Sequence, residues 1–203
     1  MRTLILLLLS FSNICLASNS YVLNTKNFSM NLMVFDKYQV LELRGSILFG
    51  DFNRAMPLLK KIEKNKNLVL NLGGFNGGYV YDIAPISKLL KDFCKVGECL
   101  IETYLGKNQR CSSYCLLLYM IGDSRIAHEE SFFGFHAAWF GPLKSGFVMR
   151  FNYKNYGVDE DWLKANRSYF TSKTRMTYKS PNEIEGSNIV THILKSDLDL
   201  LNL

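Results

Sequence analysis

Two apolar-rich runs, residues 32–35 and 39–43, flank Asp36-Lys37-Tyr38 and predict two strands joined by a tight turn. Arg44-Gly45-Ser46 is the expected end of that hairpin. The period then changes. Phe52, Ala55, Met56, Leu59 and Ile62 recur at spacings of three and four, which predicts a helix over 51–64, with Pro57 marking a kink or a later start. Residues 68–72 form a short apolar run of the kind found in buried strands, followed by Gly73-Gly74 and Gly77-Gly78. A second helical period covers 79–93, again with an internal proline, Pro85, and a strand is expected at 100–105. Beyond it the pattern predicts a short apolar helix at 112–120, strands at 125–127 and 132–135, and a helix at 159–171. Acidic residues in the first turn of that last helix suit the positive end of its dipole. Strands alternating with helices of this length indicate βαβ units, hence an α/β fold with a largely parallel sheet.

The first residues stand apart from this pattern. Arg2 precedes an uncharged apolar run at 4–9, extended through Phe11 and Ile14, and Cys15-Leu16-Ala17 leads into Ser18-Asn19-Ser20. A positive start, a short apolar core and a small residue before a polar stretch make residues 1–17 a secretory signal peptide. The run is shorter than the ~20 apolar residues that cross a bilayer. The longest later apolar run is 115–121, so no stable membrane span is expected after cleavage. Residues 18–203 suit a single domain placed in the periplasm or secreted.

Composition narrows the partners. The formal net charge is +6, but the lysines are scattered, and the one cluster, Lys60, Lys61, Lys64 and Lys66, falls on a predicted helix end. Nucleic-acid surfaces carry denser basic stripes interleaved with aromatics, so no nucleic-acid partner is expected. Cys15 belongs to the leader, which leaves Cys94, Cys99, Cys111 and Cys115. An even number outside the cytoplasm points to disulfides, and four cysteines permit three pairings, of which 94–99 with 111–115 is the most local. Zinc is the alternative, but His128, His136 and His192 repeat no finger-like spacing, so no metal is expected.

Three pieces with chemical uses follow one another: a Gly-Gly turn after a buried strand, a serine at a helix start and a histidine at a strand end. Serine becomes a nucleophile only when a base takes its proton, and histidine is the usual base near neutral pH. The oxyanion formed by attack needs backbone N–H donors, which a glycine turn and a helix start both offer. The serines are Ser112 and Ser113 in Cys111-Ser112-Ser113-Tyr114-Cys115. The histidine is His136 in Gly134-Phe135-His136, and the glycines are Gly73 and Gly74. Each piece also has a structural reading, as an N-cap, a packed core histidine and an ordinary turn.

From about Val40 to His136 the chain resembles the Clp-type serine peptidases of the wider Clp/crotonase group, and is most similar to their exported periplasmic members. The resemblance rests on Leu70-Asn71-Leu72-Gly73-Gly74, on the Cys-x-Ser-x-Cys motif at 111–115 and on Gly134-Phe135-His136. It implies a Clp/crotonase-like spiral of ββα units, with Ser113 as nucleophile and His136 as base. The backbone N–H groups of Gly73, Gly74 and Tyr114 would form the oxyanion hole. It also implies a peptide or protein substrate, no metal or small cofactor, and self-association as a homo-oligomer. Two departures stand out. Leu72 replaces the family's proline before Gly-Gly, and the aspartate that would orient the histidine falls near Met176. Glu183, Glu185, Asp159 and Asp161 are the candidate substitutes. Without a third acid the chain reads either as a Ser-His hydrolase or as an inactive Clp-like binding or assembly module.

Overall fold

The turn at Asp36-Lys37 does fold the chain back on itself. The structure, a computed structural model, describes residues 17–140, 143–172 and 175–196, so the predicted leader lies outside it except for Ala17. Strand β1 (Asn19–Asn24) leads, then β2 (Phe28–Val34) and β3 (Tyr38–Ile47), with β2 antiparallel to both β1 and β3. β2 alternates buried and half-buried positions throughout, the signature of a strand with one face on a core. β1 was not foreseen, because its sequence, NSYVLN, is largely polar and exposed.

Helix α1 (Asp51–Leu59) is shorter than the 51–64 expected from periodicity. The fully buried Gln39 accounts for the early stop. Its amide donates to the carbonyl of Glu63 at 2.6 Å and accepts from the Glu63 N–H at 3.0 Å, which fixes a turn where the helix would have continued. The lysines 60, 61, 64 and 66 therefore follow the helix instead of covering its last turn. Then come β4 (Asn67–Asn71), β5 (Phe75–Gly78) and α2 (Val80–Gly97). Strand β6 (Ile101–Leu105), β7 (Arg110–Ser112), α3 (Cys115–Tyr119), β8 (Ser124–His128) and β9 (Phe132–Phe135) complete the central part.

A short hairpin, β10 (Ala138–Phe140) and β11 (Leu143–Ser145), leads into α4 (Gly146–Asn155) and α5 (Glu160–Ala165). The helix expected over 159–171 is broken: α5 ends at Ala165, Asn166 caps it, and a 3-10 turn, Arg167–Phe170, follows. Two final strands, β12 (Thr177–Lys179) and β13 (His192–Leu194), close the chain.

The main sheet runs β1-β2-β3-β4-β6-β8-β13, with β5 added beside β3. From β3 onward its pairings are parallel. A second sheet, β12-β9-β7, has β9 parallel to β7 and antiparallel to β12. The fold is therefore mixed α/β with a mostly parallel central sheet. Its main core joins Leu41, Leu43, Leu68 and Leu70 of the sheet to Leu59 of α1, Ile83, Ile86 and Leu90 of α2, and all of α3. α3 is buried on every side, which explains its unbroken apolar sequence. No helix among the described residues is long and apolar enough to cross a membrane.

Candidate active site

The nucleophile candidate sits on a bend, not in a helix. β7 ends at Ser112, α3 begins at Cys115, and between them Ser113 holds φ 57°. The left-handed region costs a residue with a Cβ about 1–2 kcal/mol, so surrounding contacts must hold it there. Ser113 N–H donates to the Gly134 carbonyl at 2.9 Å. Its own carbonyl accepts from Leu116 N–H at 3.1 Å and from the Tyr153 hydroxyl at 3.1 Å. The Cys111–Cys115 disulfide, with Cα atoms 5.3 Å apart, ties the strand before the bend to the helix after it. The second disulfide joins Cys94 to Cys99 at the end of α2.

The base candidate arrives by strand pairing. β7 and β9 run parallel with Arg110 opposite Phe132 and Ser112 opposite Gly134, so Ser113 and His136 leave the same edge of the second sheet. His136 Nε2 lies 2.7 Å from Ser113 Oγ. Gly134 is required at this crossing, because a Cβ there would stand 2.5 Å from Ser112 Oγ. Burial lowers the His136 pKa below 6.5, and hydrogen bonding to the Ala137 backbone opposes the shift. The ring is therefore neutral at pH 7 and able to accept the serine proton.

The four candidate acids are elsewhere. Asp159 caps α5, accepting from Trp162 N–H at 2.7 Å. Asp161 pairs with Lys164, and Glu183 with Lys179 and Ser180. Glu185 is exposed. Among the described residues no carboxylate is hydrogen-bonded to His136. The β9–β12 register sets Thr177 opposite Phe135, and Met176 is the residue just before that pairing, as His136 is the residue just after it. The Met176 Cγ is 3.0 Å from where a Gly134 Cβ would be, which puts a thioether on the edge where a carboxylate was sought.

The glycines divide differently from the expectation. Phe75 N–H donates to the Leu72 carbonyl at 3.0 Å, closing a turn with Gly74 at φ 89°. Within that turn Gly73 N–H donates to the Asn71 side chain at 3.1 Å. Gly73 and Gly74 thus carry the chain from β4 into β5, and the Gly73 donor is already used. The glycine beside the bend is Gly77, at φ 82°. A Cβ there would stand 2.7 Å from the Ser112 carbonyl oxygen, 2.9 Å from Cys115 N and 3.0 Å from Tyr114 N. Gly78 is fixed by β3, since a Cβ on it would overlap the Ile47 backbone. Tyr114 N–H belongs to the set of donors that a helix start leaves unpaired within the helix. The backbone that flanks it is Gly77-Gly78 of β5.

Tyr153 also escaped the sequence reading. It is fully buried, and burial pushes its phenol well above its usual range, so it remains an O–H donor to Ser113. Nothing local marks it, because its partner lies 40 residues away in sequence.

No protein-family model matches the sequence, and no curated protein does. Solved structures do match, 566 chains in all, so the architecture is common and by itself assigns no chemistry. One of them, described only as the crystal structure of "an Enzyme", is similar with a TM-score of 0.57 and 12% identity. The match covers 77% of this chain and 96% of that one. At that identity the likeness is one of fold.

Proposed function

We propose that this protein is an exported serine hydrolase of the Clp/crotonase-like type, cleaving peptide bonds with Ser113 and His136. The observation that carries the reading is the 2.7 Å approach of His136 Nε2 to the oxygen of a serine held at φ 57°. A buried serine in an unfavourable backbone conformation, tied down by a disulfide, two strands and a tyrosine, is costly as mere packing. It is the arrangement expected of a nucleophile that must not move.

In the reaction Ser113 Oγ attacks the substrate carbonyl carbon while its proton passes to His136 Nε2. The carbonyl oxygen becomes an oxyanion, stabilised by Tyr114 N–H and the adjoining backbone beside Gly77, a role assigned here to Gly77-Gly78 in place of Gly73-Gly74. His136 then gives the proton to the departing amine as the C–N bond breaks. Water repeats the sequence on the acyl-enzyme and frees Ser113. The imidazolium formed in between has the Ala137 backbone as a partner and no carboxylate, so turnover is expected to be slower than in a full triad. In this reading the paired β strands and following helices are the units of a Clp/crotonase-like spiral, and the protein works in the periplasm or outside the cell. The two disulfides support that placement, since such bonds persist in oxidising compartments.

A fluorophosphonate probe tests the reading directly. Mass mapping should find the label on Ser113, and Ser113→Ala should abolish both labelling and any peptidase activity. An unlabelled folded protein would favour the second reading, a Clp-like binding or assembly module. That reading has one specific support, the thioether of Met176 on the edge beside His136.

A further inference from the structure

A groove of about 1160 Å³ runs beside α2, walled by that helix, the start of β6 and α4. It exceeds the ~300–1,000 Å³ that holds a compact small molecule. Its shape is set by its two ends. Val80 and Tyr81 line one end and directly follow Gly77-Gly78-Tyr79, the segment whose Gly77 packs against the backbone of Ser112, Tyr114 and Cys115. Tyr114, the residue after Ser113, sends its phenol toward Asn152 and Tyr81, which also line it. The Cys94–Cys99 disulfide and Asp123 mark the other end. From Val80 to Lys95 a helix rises about 22 Å, the span of roughly seven residues of extended chain.

The lining has two characters. Pro85, Ile101, Ile121 and Tyr156 give it an apolar floor, while Lys88, Lys91 and Lys95 stand exposed along α2. Lys88 pairs with Asp92, and the Asp123 carboxylate accepts from Ile101 N–H. Among the described residues Lys91 and Lys95 have no carboxylate partner, so the outer part of the groove offers positive charge over an apolar floor.

We infer that this groove binds the flank of the peptide substrate, an extended segment of apolar and acidic residues lying several positions from the cleaved bond. This inference rests on the peptidase reading for the identity of its ligand, but not on catalysis for its test. Apolar side chains cover the floor and carboxylates meet Lys91 and Lys95, while the Tyr81 end delivers the chain to Ser113. A charge-rimmed groove of this length selects by composition over several residues and leaves the residue at the cleaved bond less constrained.

The probe is a fluorescein-labelled peptide of alternating leucine and aspartate, about eight residues long, read by anisotropy on Ser113→Ala protein so that nothing is cut. Binding should weaken about tenfold in Ser113→Ala carrying Lys91→Glu and Lys95→Glu, the scale of losing two rim charge contacts. It should also weaken with salt. In protein that keeps Ser113, the same two charge reversals should leave fluorophosphonate labelling unchanged, which shows that the fold and the bend are intact. Unchanged affinity after charge reversal, or equal binding of a leucine-lysine peptide, would overturn the inference. Labelling at Ser113 without peptide binding would sink the groove alone. Peptide binding that obeys the charge test in a protein that never labels would uphold the groove and remove the hydrolase.

Discussion

The backbone of Ser113 permits an experiment in which removing the proposed nucleophile has two different costs. Ser113→Ala and Ser113→Gly both delete the hydroxyl that meets His136, so that loss cancels between them. What remains is φ 57°. Alanine pays about 1–2 kcal/mol to stay in the left-handed region. Glycine pays nothing there, but its unfolded chain is freer by about 0.5–1 kcal/mol. The midpoints of the two costs leave the glycine variant the more stable by about 0.75 kcal/mol. In a domain of this size 1 kcal/mol moves the melting temperature by about 2–4 °C, so calorimetry should place Ser113→Gly about 1–4 °C above Ser113→Ala. Neither variant should react with a fluorophosphonate. An alanine variant as stable as the glycine variant, or more so, would refute the strained bend and with it the main argument for a built nucleophile.

Four further outcomes follow from the same geometry. The labelling rate of Ser113 should fall in acid with a midpoint below 6.5, because burial lowers the His136 pKa and only the neutral ring accepts the proton; a midpoint at or above 6.5 would contradict the burial argument. Stability carries the same sign: between the lowered folded value and 6.5 the unfolded chain binds more protons, so stability should drop as pH falls through that window and His136→Gln should flatten the drop. Tyr153→Phe removes a donor worth about 1 kcal/mol to the Ser113 carbonyl, leaving the one from Leu116, and should slow labelling about fivefold; an unchanged rate would mean the hydroxyl does not position the bend. Gly77→Ala should abolish labelling because its Cβ meets the Ser112 carbonyl at 2.7 Å, whereas Gly74→Ala, whose Cβ finds only an Arg44 carbon at 3.9 Å, should pay a backbone penalty and still label.

The sequence marked the Ser113–His136 pair more clearly than the backbone that presents it, and the reason is the range of the interactions involved. Ser113 and His136 are separated by 23 residues; the apolar strand before His136 was legible, whereas the three-residue strand Arg110-Cys111-Ser112 before Ser113 carries no apolar pattern and forms by pairing with β9. The hairpin of β2 and β3 was legible too, its pairing being local and its turn polar. The early stop of α1 depends on a glutamine 24 residues upstream, and the bend at Ser113 on a tyrosine 40 residues downstream, neither marked by any local pattern. Which of the two Gly-Gly pairs lies beside the bend was likewise not legible locally. The first follows an obvious strand, while the second lies in β5, which exists only because it pairs with β3 roughly thirty residues earlier.

Met176 is a different case. The resemblance implies an acid near this position, and Met176 is the residue just before the β12 pairing of Thr177 with Phe135, with its Cγ 3.0 Å from where a Gly134 Cβ would be. On the proposed reading the residue type itself removes the acid. A thioether there cannot accept from an imidazole N–H as a carboxylate would. On the proposed reading, Ser113 and His136 can form a covalent serine adduct but have no carboxylate to steady the imidazolium. Such a pair should react quickly with activated probes and slowly with amides, because the amide demands more of the protonated histidine. A fluorophosphonate that labels Ser113 readily, beside a peptide that turns over slowly, would therefore be one finding about this site and not two in conflict.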